Sequence, residues 1–367
     1  MTGTPSMPFD GVEFSHSDAG QVRFLPFDLP ASAEAAGPPE ALGRARDDVR
    51  LAVASTKRGL VHTAFTRLPE FLEVGDLLVV NDSATLPAAL GGRVNGLDVR
   101  VHVSVPVRKS QRRLVELRIP AGPASREYRD GKAGDLIHLH GGGLMRLIAP
   151  RSGEGLHPRL WEASFDLPQP LHRYLGHWGQ PIRYSYVTQP WDLRYYQTIF
   201  AKKPGSSEMP SAARPFSKPL VRRLAAMGVG VCPITLHTGV ASLERHELPY
   251  PEPYSVTASA AGIINSTRAA GGRVIAVGTT VVRALETVCD AGGSIRAGHG
   301  FTELVITPDR PVRSVQGLIT GWHEPKATHL MMLEAIAGLD LLTASYADAL
   351  GQGYQWHEFG DSHLILP

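Results

Sequence analysis

The sequence predicts an α+β protein, in which a larger domain of mixed helix and strand is interrupted by a small all-β domain. Three observations carry this expectation. The chain has 367 residues, more than one average domain of about 150. Its composition, 43% hydrophobic and 20% charged, supplies a real core. Its hydrophobic period changes to short alternating segments at Gly91, and mixed helix and strand return after Phe165. The expected division is a main domain over 1–88 and 166–367 and an inserted β domain over 89–165.

The stretch before Arg46, rich in Ala, Pro and Gly, reads as an irregular arm. Val49 to Ser55 and Leu60 to Phe65 read as strands joined by the turn Thr56-Lys57-Arg58-Gly59. Leu77 to Val80 is fully apolar between Gly75-Asp76 and Asn81-Asp82, the pattern of a strand buried on both faces. Val99 to Val103, Leu114 to Leu117, Leu136 to Leu139 and Leu144 to Ile148 are short strands between glycine-rich turns, as in a small barrel or sandwich. After Tyr184, Ser217 to Met227 reads as a helix stopped by Gly228, and Val229 to Leu236 as a strand whose Pro233 points to an edge or bulge. A helix from Ala258 to Ala269 precedes a strand from Arg273 to Val277, which runs through Gly278-Thr279-Thr280 into a helix ending near Cys289. A further strand ends at Thr320. Pro325-Lys326 opens a helix to Ala337, and Leu341 to Leu350 forms the last one.

Composition excludes several function classes. No apolar run approaches the roughly 18 residues of a membrane helix, and the first 30 residues carry Asp10, Glu13, Asp18 and Asp28 instead of a secretory apolar stretch. Two cysteines, Cys232 and Cys289, build neither a disulfide framework nor a Cys-rich zinc site. The expectation is a cytoplasmic protein with no membrane or metal partner. Net charge is only +2, but residues 91–160 hold 13 Lys and Arg against 6 Asp and Glu, while the rest of the chain is acidic. Such a segment suits contact with a phosphate backbone, and a solvated face of a small β domain has the same composition. Its densest cluster is Arg108, Lys109, Arg112, Arg113 and Arg118.

Two junctions concentrate chemistry. At Gly278-Thr279-Thr280 a buried strand turns into a helix whose first N–H groups favour an anion, with Thr as a cap and Arg283 one turn on. An ordinary capped helix with a solvated Arg would look the same. At Thr320 to Thr328, Trp322 and His323 offer a stacking face and a proton carrier, and Lys326 beside a helix start calls for an anionic partner. His237 after a strand, Asn81-Asp82 and Gly360-Asp361 are weaker candidates, each equally readable as structural. No Walker A loop, G-x-G-x-x-G, H-E-x-x-H or G-x-S-x-G is present, so neither metal nor dinucleotide chemistry has support.

Six blocks in order resemble the S-adenosylmethionine:tRNA ribosyltransferase-isomerase family of queuosine biosynthesis: VGDLLVVNDS (74–83), RYYQTIFA (194–201), ITLHTG (234–239), GGRVIAVGTTVVRALE (271–286), LITGWHEPKAT (318–328) and GDSHLI (360–365). The resemblance implies a barrel-like mixed α/β main domain interrupted by a small β-barrel. It implies transfer and isomerisation of the ribosyl group of S-adenosylmethionine onto an aminomethyl-deazaguanine base in tRNA, giving epoxyqueuosine-tRNA with loss of adenine and methionine. S-adenosylmethionine is then a consumed substrate, and no separate cofactor is expected. Within that frame His237, His323 and Lys326 are the catalytic candidates. Asp82, Glu252, Thr279, Thr280 and Arg283 are the substrate-binding candidates, and the basic cluster is the tRNA contact. The chain departs from the family pattern at Pro210 to Ser217, where Pro215 replaces a His, and at Pro249 to Glu252, which keeps the Glu but loses a His. On those departures rest two alternatives, a paralogue with a small-molecule acceptor and a non-catalytic tRNA-binding protein.

Overall fold

The computed structural model describes residue 25 and residues 27–121, 124–151, 157–187, 189–240, 250–325 and 327–367. In chain order the elements begin with β1 (Arg50–Ser55), β2 (Gly59–Ala64), β3 (Leu77–Asn81) and β4 (Ser83–Thr85). Then come β5 (Ala89–Val94), β6 (Leu97–Pro106), β7 (Arg113–Ala121), β8 (Ala124–Glu127), β9 (Leu136–Leu139), β10 (Leu144–Pro150) and β11 (Leu160–Asp166). After α1 (Leu171–Trp178) follow β12 (Lys203–Ser206), α2 (Lys218–Ala226), β13 (Gly230–Leu236), β14 (Glu252–Val256) and α3 (Ala258–Ala269). The chain ends with β15 (Val274–Val277), α4 (Thr279–Val288), β16 (Gly298–Thr302), β17 (Gly317–Gly321), α5 (Thr328–Ala337), α6 (Leu339–Gly351) and β18 (Ser362–Leu366).

The fold is mixed α/β with a small closed barrel. The main sheet has nine strands in the order β16-β14-β13-β3-β15-β17-β18-β1-β2. Its centre, β13-β3-β15-β17, is parallel. β3 explains why its sequence is apolar without alternation. Leu77 and Val79 enter one core while Leu78 and Val80 enter the other, so both faces are covered. The first core lies under α3, α4, α5 and α6, and the second under α2 and the 3₁₀ turns of Phe65–Phe71. The second sheet closes on itself as β5-β6-β7-β11-β10-β9, with β8 appended to β7, so it has no free edge around the barrel. Its interior is filled by Val101, Leu117, Ile137, Met145, Leu147 and Ala163, among others.

Several expectations are corrected in detail. Pro233 is not on an edge strand, because β13 lies between β3 and β14. Gly230 donates to Asp76 on the β3 side, so by alternation the Pro233 nitrogen faces β14, whose pairing starts only at Thr235. The missing donor therefore costs no ladder bond. Gly278 rather than a threonine is the cap of α4, at φ 101° and without a side-chain bond. Pro325 does not open α5. A turn from Glu324 to Ala327 intervenes, and the helix starts at Thr328. The arm before Arg46 is stitched down where described: Ala33 and Ala35 exchange backbone hydrogen bonds with Trp356. Among the described residues no single helix is long and apolar enough to cross a membrane.

Candidate active site

A cavity of about 440 Å³ opens at the carboxyl ends of the central parallel strands, where the barrel's β7 also reaches it through Arg118. Open parallel sheets offer their ligand sites at this end, because chain turns there leave N–H groups and helix starts facing the crevice. Gly278 makes the turn possible. Its φ of 101° is strained for any residue with a side chain, and the chain passes directly from β15 into α4. Gly278, Thr279 and Thr280 line the cavity. Asn81, fully buried, ties this corner together. Its amide donates to the Leu236 carbonyl at 2.8 Å and to Thr280 Oγ1 at 3.3 Å, and its oxygen accepts from Leu236 N at 3.0 Å.

Glu252 and Arg283 form the main ion pair of the cavity wall. Glu252 Oε1 accepts from Gly239 N at 2.8 Å, and its Oε2 takes a short bond from Arg283 Nη1. Arg283 Nε donates to the Leu304 carbonyl at 3.2 Å, while Nη2 is buried with no hydrogen-bond partner among the described residues. A buried guanidinium nitrogen without a partner in a cavity wall is an unmet donor, which an oxyanion reaching that wall would satisfy.

His323 also lines the cavity. Thr320 Oγ1 lies 2.9 Å from its Nε2, its carbonyl accepts from Trp356 Nε1 at 3.1 Å, and its ring stacks on His329 at 4.7 Å. Burial, reinforced by His329, His357 and His363, pushes its pKa well below 6.5, so the imidazole is neutral. His329 is held down to about 4 by burial and by Arg283.

Other sequence candidates go elsewhere. Asp82 and His237 do not line the cavity. Asp82 accepts from Thr235 Oγ1 at 2.6 Å and lies 3.4 Å from Lys203 Nζ, on the side of the small β4–β12 pair. His237 Nδ1 contacts Ser83 Oγ at 2.7 Å, which in turn meets Ser206 Oγ at 2.6 Å, and burial lowers its pKa. Lys326 lies outside the described residues. In the basic cluster, Arg108, Lys109 and Arg112 are exposed around the β6–β7 turn; Arg108 pairs with Glu303 at 2.6 Å and Arg112 with Glu162 at 3.1 Å. Arg113 is half-buried and donates to the Ser104 carbonyl at 3.2 Å. Arg118 is not a surface residue: it is buried against Glu116 at 2.6 Å and faces the cavity.

Sequence reasoning missed Tyr184, Tyr186, Glu208, His329 and His357, all of which line the cavity. The nearest signal was Gly360-Asp361, whose Asp361 proves structural: it accepts from Arg50 N and Gln355 N, both at 2.8 Å. Among the described residues no group of three or more His, Cys, Asp or Glu is arranged to hold a metal ion.

The family model described as queuosine biosynthesis protein matches residues 22–365. A relative from Symbiobacterium thermophilum named S-adenosylmethionine:tRNA ribosyltransferase-isomerase is 35% identical, covering 93% of this chain and 98% of its own. One of the same name from Pelotomaculum thermopropionicum is 35% identical over 83% of this chain and 89% of its own. The crystal structure of S-adenosylmethionine tRNA ribosyltransferase from Thermotoga maritima matches with a TM-score of 0.51 and 26% identity, covering 93% of this chain and 99% of that one.

Proposed function

The chain belongs to the queuosine biosynthesis protein family, and on that premise we propose the following working of its site. The enzyme transfers and isomerises the ribosyl moiety of S-adenosylmethionine onto the aminomethyl-deazaguanine base of tRNA, releasing adenine and methionine and giving epoxyqueuosine-tRNA. S-adenosylmethionine and tRNA are its substrates, and it acts in the cytoplasm.

The observation that carries this reading is the Arg283 guanidinium in the first half of α4, paired with Glu252 through Nη1 and, among the described residues, without a partner at Nη2. The first turn of α4, with Thr279 and Thr280, and Arg283 Nη2 receive the methionine carboxylate. Glu252 holds Arg283 in place and compensates its charge. The sulfonium then lies within the cavity, where it acidifies the adjacent ribose carbon. A neutral imidazole can take that proton without repelling the sulfonium, and of the two histidines His323 lines the cavity while His237 does not, which favours His323. The resulting ylide expels adenine and the acceptor amine attacks; as the sugar carbons reclose to the epoxide, the carbon–sulfur bond breaks and methionine leaves with its electron pair. Asp82 and His237 support this arrangement from behind by fixing the ends of β3 and β13.

Exposed Arg108, Lys109 and Arg112 contact tRNA phosphates, reading charge and not sequence, while the base enters the cavity. Incubation with S-adenosylmethionine and precursor-bearing tRNA tests the whole reading. Adenine release that depends on the tRNA supports it, and no release from either substrate combination removes it.

A further inference from the structure

The part of the cavity not used by this mechanism is acidic. Glu34, from the stitched-down arm, forms a β-bridge with Trp356 and so comes beside His357. Glu34 Oε1 and Glu324 Oε1 each lie 3.7 Å from His357 Nε2. Among the described residues neither carboxylate pairs with a lysine or an arginine. The His357 side chain is only 8% exposed, and among the described residues its Nε2 has no hydrogen-bond partner. Its ring is fixed face to face on Tyr186 at 3.9 Å and 7°. All four side chains line the cavity.

We propose that Glu34, Glu324 and His357 form a binding site for a primary alkylammonium group. Three acceptors converge where a primary ammonium has three donors, with His357 in the tautomer protonated on Nδ1. Two carboxylates facing each other without a cation repel, and burial together with Glu34 pushes the Glu324 carboxyl above its usual value. A bound ammonium relieves that repulsion, so the site stores the reason for its own occupancy. An orphaned imidazole nitrogen gains a donor at the same time.

The inference deepens the function proposed above and rests on it, since that reaction has two such groups: the aminomethyl group of the acceptor base and the α-ammonium of S-adenosylmethionine. Glu34→Gln, Glu324→Gln and the double variant separate them. Calorimetry reads S-adenosylmethionine affinity, and tRNA-dependent adenine release reads KM for tRNA bearing the aminomethyl base, with binding of the same tRNA bearing guanine as the control.

If the site takes the acceptor amine, KM for the modified tRNA rises roughly tenfold or more, while S-adenosylmethionine affinity and guanine-tRNA binding stay within twofold. If it takes the donor ammonium, the S-adenosylmethionine affinity falls by that factor instead. The double variant should melt no lower than the parent, because it removes a repulsion. Unchanged affinities for both substrates, or a loss shared equally by guanine-tRNA, overturn the site. Should the parent release no adenine at all, the reaction fails but the site does not go untested. Methylammonium must then raise the melting temperature of the parent more than that of the double variant, and an equal effect on both overturns the proposal.

Discussion

Replacing Arg283 with lysine keeps a cation opposite Glu252 while removing the forked geometry. The arginine makes two bonds inside the protein, one from Nη1 to Glu252 and one from Nε to the Leu304 carbonyl, and leaves the buried Nη2 without a partner among the described residues. Lysine retains the first contact and forfeits the second, a loss of about 1 kcal/mol of stability for one neutral-acceptor bond. What it cannot supply is a second nitrogen for a carboxylate. A charge-assisted bond of about 1.5–3 kcal/mol corresponds to roughly 10- to 150-fold in Kd for S-adenosylmethionine, read by calorimetry. Arg283→Ala is the contrasting case. It strands Glu252, only 11% exposed, without its partner, and costs about 3–5 kcal/mol in a denaturant melt. Stability and affinity thus separate in the lysine variant and fall together in the alanine one. A lysine variant that binds S-adenosylmethionine within twofold of the parent while losing the expected stability would make Arg283 a structural residue alone.

Three more outcomes follow from the geometry. Gly278→Ala forces a side chain into φ 101° and sets a Cβ 3.4 Å from Ala212 and Thr280 Oγ1; thermal melts should show about 1–2 kcal/mol lost, with adenine release falling further than stability does. Replacing Lys109 and Arg112 with alanine should weaken tRNA binding and reduce the slope of log affinity against log salt by about one per lost contact, with S-adenosylmethionine affinity unmoved; an unchanged slope would make the cluster a plain solvated face. Acid should act in two stages. The folded pKa of His329 lies at about 4, below its ordinary 6.5, so the unfolded chain binds the proton first, and stability falls as pH drops below about 6.5, by up to about 3 kcal/mol. Glu116 acts lower. Despite burial, His102, Arg159 and Arg118 hold it at about 2, so its contribution is intact above about 4.5 and is lost as pH falls towards 2. Urea titrations from pH 7.5 to 4 check the first stage, and His329→Gln should remove its own share of the slope, leaving that of the similarly depressed His323, His357 and His363.

What the sequence made legible was periodic or punctuated. β3, β15 and β17 stand out because a strand covered on both faces must be apolar throughout, and α2 because Gly228, at φ 81°, stops it. β5 was hidden because Gly91-Gly92 reads as a turn. In the fold Gly92 is required inside the barrel, where a Cβ would lie 2.9 Å from the His138 carbonyl oxygen. Pro325 misled in the opposite way: a residue suited to a first helical turn sits in the turn before the helix.

The site divides along the same line, and the division has a physical cause. Thr279, Thr280, Arg283 and His323 were visible because each sits just past a buried strand, and local chain order alone delivers such residues to the carboxyl edge of a parallel sheet. Asp82 and His237 share that position. Their side chains, however, are claimed by Thr235 and Ser83 on the β4–β12 side, a choice made by tertiary partners that no local pattern records. Glu34, Tyr186 and His357 come from aperiodic segments far apart in sequence, and they meet only because the arm pairs with Trp356. Chemistry that needs an anion at one wall and a cation at another must draw on both kinds of segment. A helix start supplies N–H groups and positive potential, whereas converging carboxylates must be brought in by chain that is free of the sheet's register. On this physical ground the cation-binding half of the cavity stays hidden from the sequence, while the anion-binding half does not.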